Sequence, residues 1–122
     1  MKICITSQGR TLDSPVDPRF GRCRNFIVLD TGSEGFEAME NANAAFQGGA
    51  GIQSAQFVAS RGVKAVLTGN VGPNAFQTLN AAGIEIFTGV SGTVSEAVAL
   101  YKTGKLTAAK DSTVGPKSGM GE

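Results

Sequence analysis

Val63-Lys64-Ala65-Val66-Leu67-Thr68-Gly69-Asn70-Val71-Gly72-Pro73-Asn74 is the stretch that decides how this chain is read. Residues 63–67 are mostly apolar and β-branched, as expected of a short strand buried on both faces of a parallel sheet. A glycine-rich turn follows at once. Pro73 then suits the first position of a helix, where its missing N–H costs nothing. Strand, glycine turn and helix start together offer an anion a place, because unpaired N–H groups of a first helical turn point outward. The same residues can also simply close a βα corner, so this stretch alone leaves both readings open.

Downstream, the pattern repeats. Gly62, Gly83 and Gly104 are spaced by 21 residues each, and each stands where a helix needs a left-handed closing residue. Ile52, Ala55, Val58 and Ala59 share one face of the helix before Gly62, and Phe76, Leu79 and Ala82 do so before Gly83. Thr93-Val94-Ser95-Glu96 has the form of a capping box, with Ala97, Leu100 and Tyr101 continuing that helix to Gly104. Periodicity is lost from Leu106 on. A single domain over residues 1–106 and a disordered tail over 107–122 are therefore expected.

Upstream, Ile3 and Ile5 alternate with Cys4 and Thr6 in a first strand over residues 2–6. A polar loop with Pro15 and Pro18 leads to a second strand over 25–30. The short turn at 31–35 makes this strand and a third, over 36–40, an antiparallel hairpin. Residues 41–51 are read as a loop. The order β-β-β-α-β-α-β-α, with right-handed crossovers, predicts an α/β fold: a mixed five-stranded sheet with strand two antiparallel and helices on its faces.

Composition narrows the function classes. A formal net charge of +1, no Trp and one Tyr give no electrostatic or stacking case for nucleic acid. No cleavable apolar segment and no membrane-length run is seen, so a cytoplasmic protein without a membrane partner is expected. There is no histidine, which removes the commonest metal ligand and the usual general base. Asp13, Asp17 and Asp30 are scattered, and the first strand carries no carboxylate, so metal-dependent nuclease chemistry is rejected and no enzyme is expected.

The topology has a further consequence. The loops after strands three, four and five open on the carboxyl edge of the parallel strands, where open α/β sheets bind ligands. They contribute Gln47, Gly48, Gly49 and Gly51, then Gly69, Asn70, Gly72 and Asn74, then Ser91, Gly92 and Thr93. The loop entering the antiparallel strand adds Arg19, Phe20, Gly21 and Arg22, with Cys23 and Arg24 beyond them. One rim thus collects glycine turns, helix starts and arginines, a combination that favours an anion. Cys23, between two arginines, is the candidate metal-binding thiolate, since neighbouring cations lower a thiol pKa; an ordinary semi-buried cysteine is the alternative. Cys4 is expected in the core. Two thiols without histidine cannot complete a tetrahedral site, so any metal would arrive preassembled.

Val16-Asp17-Pro18-Arg19-Phe20-Gly21-Arg22-Cys23 with Phe26-Ile27-Val28, and Gly62-Val63 through Thr68-Gly69-Asn70-Val71-Gly72-Pro73-Asn74-Ala75 with Leu79, Gly83-Ile84 and Gly89, resemble the dinitrogenase iron-molybdenum cofactor biosynthesis family over about residues 1–106. The resemblance implies a ribonuclease-H-like three-layer fold. Combined with the connection rules, it sets the expected strand order 3-2-1-4-5. It also implies non-covalent holding of an anionic iron- or molybdenum-containing metal–sulfur cluster or its precursor, with cluster donor or acceptor proteins as partners. Where family members often have His before Phe-Gly-Arg, this chain has Arg19. Where many have His in the glycine-rich stretch, it has Gln47-Gly48-Gly49.

A non-catalytic carrier, monomeric or weakly dimeric, is therefore the leading expectation. A regulatory domain binding a phosphorylated metabolite or nucleotide at the same rim, or a ligand-free interaction module, are the alternatives.

Overall fold

The computed structural model describes residues 1–33, 35–42 and 49–112. Strands β1 (Lys2–Ser7), β2 (Asn25–Asp30), β3 (Phe36–Glu40), β4 (Val63–Leu67) and β5 (Glu85–Phe87) form a single sheet in the order β3-β2-β1-β4-β5. β2 is antiparallel to both neighbours, while β1–β4 and β4–β5 are parallel, as expected. Helices α1 (Ala50–Ser60), α2 (Pro73–Ala81) and α3 (Val94–Lys102) connect and cover it.

The alternation in β1 sorts the core. Cys4 points with Val28 and Val66 into a cluster completed by Ala55 and Val58 of α1 and by Phe76 and Leu79 of α2. Ile3 and Ile5 point the other way, with Ile27, Leu29 and Leu67, against Val94, Ala97 and Val98 of α3. The two clusters lie on opposite faces because successive strand side chains do.

Helix ends follow local chemistry. Gly62, Gly83 and Gly104 have φ of 76°, 77° and 71°, the left-handed closure that glycine adopts without steric penalty. Thr93 and Glu96 form the capping box: Glu96 N donates to Thr93 Oγ1 at 3.1 Å, and Thr93 N to Glu96 Oε1 at 2.9 Å. Two expectations shift. α1 begins at Ala50, so Gly51 belongs to its first turn and not to the preceding loop. Past residue 106, where a disordered tail was expected, Ala108 still bridges Phe87 and Ala109 N donates to Ile86 O at 2.7 Å. The exposed side of β5 accounts for this, because its backbone groups are satisfied by any strand-like segment that follows. Residues 113–122 of the expected tail lie outside the described residues.

Candidate functional site: an arginine rim at the carboxyl edge

The long connection from β1 to β2 is what builds the rim. It is fastened along the carboxyl edge: Asp17 N donates to Thr6 O at 2.9 Å, and Val16 N to Gly92 O at 2.9 Å. Asn70 N donates to Pro18 O at 2.7 Å and Phe20 N to Asn70 O at 3.1 Å. The loops after β1, β4 and β5 therefore converge, and they do so by bonding to one another.

That convergence changes what several rim residues do. Gly69 sits against Pro18, where an added β-carbon would stand 2.7 Å from the proline Cα. Gly21, at φ 94°, faces Gly51, and Gly51 in turn faces the Ala75 methyl at 3.2 Å from where its own β-carbon would be. These glycines allow loops and helix starts to touch. Phe20 is 7% exposed, with its ring 6.1 Å from that of Phe26, so its side chain packs in the core.

The three helix starts also differ. At α3 the N–H groups are taken: Val94 N donates to Ser14 O at 2.9 Å, Ser95 N to Leu12 O at 2.8 Å and Glu96 N to Thr93. Gly92, through its carbonyl, and Thr93, through its capping box, thus take part in closing the fold at this helix start. Gly92, at φ 84°, leaves room for the Glu96 carboxylate of the capping box. α1 and α2 have Gly49 and Gly72 at their N-cap positions, with no side-chain cap and no acidic residue in the first turn. Gly49 is exposed, as are Asn70 and Asn74, and Gly72 is half-buried. Both starts carry the partial positive charge of a helix N-terminus. Gln47 and Gly48 lie outside the described residues.

Asp17, one of the carboxylates that looked scattered in sequence, is 1% exposed and pins the arginine loop. Its Oδ1 accepts from Arg19 N at 3.1 Å and Arg19 Nε at 3.3 Å, and its Oδ2 accepts from Arg24 N at 3.3 Å. Thr6 Oγ1 donates to the Asp17 carbonyl at 2.6 Å and shares a hydrogen bond with Thr68 Oγ1 at 2.8 Å. Arg19, Arg22 and Arg24 are all exposed. Gln8, Asp17, Pro18, Arg19 and Arg24 line an open pocket of about 390 Å³.

Cys23 departs most from expectation. It is fully buried, and burial first, then the nearby Asp17 charge, push its thiol pKa up from 9.0 to about 12. The flanking Arg22 and Arg24 are exposed and do not offset this, so the metal-free protein carries Cys23 as a protonated, buried thiol rather than the activated thiolate expected from its neighbours in sequence. Cys4 is buried as expected, and burial pushes its pKa up too. A clasp behind Cys23 escaped sequence reasoning altogether. Asn41 Nδ2 donates to Gly21 O at 3.1 Å and Cys23 O at 3.0 Å, and Ser54 Oγ donates to Gly21 O at 3.2 Å. Single polar residues in a loop and a helix carry no local signal of such a role.

Among the described residues no three His, Cys, Asp or Glu side chains stand together as a metal site. The donor set fits an anion held by guanidinium groups and backbone N–H, and does not fit direct ligation of a metal by side chains. No helix among the described residues is long and apolar enough to cross a membrane.

A mixed five-stranded sheet in the order β3-β2-β1-β4-β5, covered by three helices and carrying exposed arginines at its carboxyl edge, makes this a small α/β protein. The chain belongs to the dinitrogenase iron-molybdenum cofactor family, which matches residues 1–104. It is similar to the apo form of the orange protein from Desulfovibrio gigas, at 41% identity over 91% of this chain and 94% of that one, with a TM-score of 0.89. A NifB-like protein of the DUF35 family from Thermotoga is 38% identical over 88% of this chain and 91% of its own, with a TM-score of 0.75. An uncharacterised protein of Methanocaldococcus jannaschii is 29% identical over 109 residues, which is 87% of this chain and 89% of that protein.

Proposed function

We propose that this chain is a non-catalytic carrier, on a ribonuclease-H-like three-layer scaffold, that holds an anionic metal–sulfur cluster or cofactor precursor at its carboxyl rim. The observation that carries this is that the loop bearing the exposed Arg19, Arg22 and Arg24 packs through Gly21 on Gly51 in the first turn of α1 and bonds to Asn70 just before α2, two helix starts that no side chain caps. Formal charge and backbone donors on one edge stabilise a polyanion without covalent bonds. Family membership supplies the iron-molybdenum context, and the orange protein relative, solved as an apo form, supports a ligand-loaded state. In this reading the cluster comes from a donor protein and passes to an acceptor in the cytoplasm. The arginines bear its charge, and Cys23 stays in the core.

Anaerobic reconstitution with iron, sulfide and molybdate or copper, followed by metal analysis and visible absorption, tests the proposal. Wild type and Cys23→Ala are expected to become coloured and metal-loaded alike, whereas the Arg19→Gln, Arg22→Gln double variant is not. A wild type that stays colourless and metal-free overturns the carrier reading. Thermal stabilisation by a nucleotide, with indifference to the reconstitution mixture, would assign the same rim to a phosphorylated ligand instead.

A further inference from the structure

We propose that the anion is seated in the pocket lined by Arg19 and Arg24, and that Asp17 is the positioning residue that orients the Arg19 guanidinium and fixes the backbone of Arg24 beside it. The proposal deepens the anion-holding reading of the rim and rests on it.

A carboxylate beneath an anion seat is at first sight adverse, since it repels the ligand and offsets one arginine. Its geometry explains its presence. Asp17 is 1% exposed, and both of its oxygens are engaged by the two arginine residues of the pocket. The bonds to Arg19 N and Arg24 N fix the backbone at two points of the loop, one on each side of the Phe20–Cys23 turn. The bond to Arg19 Nε restrains the plane of that guanidinium, while the Arg19 side chain remains 61% exposed. A guanidinium gripped through Nε still has its four terminal N–H donors to offer an oxyanion or sulfur-rich anion. The Asp17 carbonyl is held by Thr6, itself bonded to Thr68, so the pin is anchored in β1 and beside the end of β4. Gln8 and Pro18 complete the pocket. The chain has accepted a buried charge and gained one oriented guanidinium, on Arg19, and a fixed backbone position for Arg24, a preorganisation that raises affinity by lowering the ordering cost on binding.

Electrostatics and positioning predict opposite signs for one substitution. Asp17→Asn raises the net charge by one and, if only charge mattered, would tighten anion binding. If Asp17 positions the arginines, the same substitution weakens binding. Molybdate, a tetrahedral dianion, is titrated calorimetrically at constant ionic strength into wild type, Asp17→Asn, Arg24→Gln and Lys102→Gln, each checked for folding by circular dichroism. Asp17→Asn and Arg24→Gln are expected to bind about tenfold more weakly. Lys102→Gln, the same charge change as Arg24→Gln but at the C-terminal end of α3, is expected within about twofold of wild type. Asp17→Asn binding as tightly as wild type, or more so, overturns the positioning role. Should Asp17→Asn not fold, Arg19→Lys decides: it keeps the charge and loses the planar fork, so wild-type affinity in that variant overturns the proposal. A wild type that takes no molybdate overturns the pocket as the seat, while metal loading on reconstitution decides the carrier reading separately.

Discussion

Gly69 and Pro18 touch so closely that a β-carbon on Gly69 would lie 2.7 Å from the Pro18 Cα and 2.8 Å from its carbonyl oxygen. The contact joins the loop after β4 to the arginine loop and is reinforced by the Asn70 N to Pro18 O bond of 2.7 Å. No flexible side chain is there to yield, so Gly69→Ala must move backbone. A loss of about 1–3 kcal/mol is expected from urea unfolding. Loss of under about 0.5 kcal/mol, the range of an uninvolved surface change, would contradict this packing role.

The clasp behind Cys23 carries a second prediction. Asn41→Ala removes the donor to two carbonyls, Gly21 O and Cys23 O. Gly21 O keeps one donor in either single variant, Ser54 Oγ or Asn41 Nδ2, whereas Cys23 O loses its side-chain donor in Asn41→Ala, at about 1–3 kcal/mol, so Asn41→Ala should exceed Ser54→Ala. Urea midpoints at unchanged slope give the comparison.

At α3 the local effect is isolated. Thr93→Ala removes the side-chain half of the capping box and is expected to cost about 1 kcal/mol. Because α3 is closed by its own chain, anion loading of the folded variant should be unchanged. A loss of loading in that variant would place α3 in the site after all.

Thiol chemistry gives a pH-dependent prediction. Burial holds the Cys23 pKa at about 12, above its ordinary 9.0, so the folded protein keeps a proton that the unfolded chain releases. The stability this contributes is fully present below about pH 9 and is lost as pH rises toward 12. Cys4, raised by burial, acts in the same direction. Native protein at pH 8 should therefore react slowly with a thiol–disulfide reagent, and denatured protein should react at both cysteines within the mixing time. Urea unfolding followed from pH 8 to 11 should show falling stability in wild type, and a shallower fall in Cys23→Ala.

Much of the architecture was legible before any coordinate. The apolar run over residues 63–67 was a buried parallel strand, Gly62, Gly83 and Gly104 closed their helices, and Thr93 with Glu96 capped α3. The strand order drew on connection rules together with the family resemblance. In the rim, the loops expected at one edge do converge there, while the environment of individual residues was not legible in sequence. Arginines beside Cys23 in sequence implied an activated thiol, yet alternation sends Arg22 and Arg24 outward and Cys23 inward. Asp17 looked isolated because the N–H groups it accepts belong to a turn whose shape is set elsewhere in the fold.

What the sequence determined by itself is whatever depends on a few neighbouring residues: the two-residue strand period, the helical faces, glycine closure and the capping box. Those rules rest on local sterics and short-range hydrogen bonds. The tertiary structure alone decided which glycines pack loop against loop, that α3 is sealed by Leu12 and Ser14, that Cys23 is buried, and that Asp17 holds Arg19 and the backbone of Arg24. Burial and desolvation are set by segments far apart in the chain, and the character of the rim depends on them.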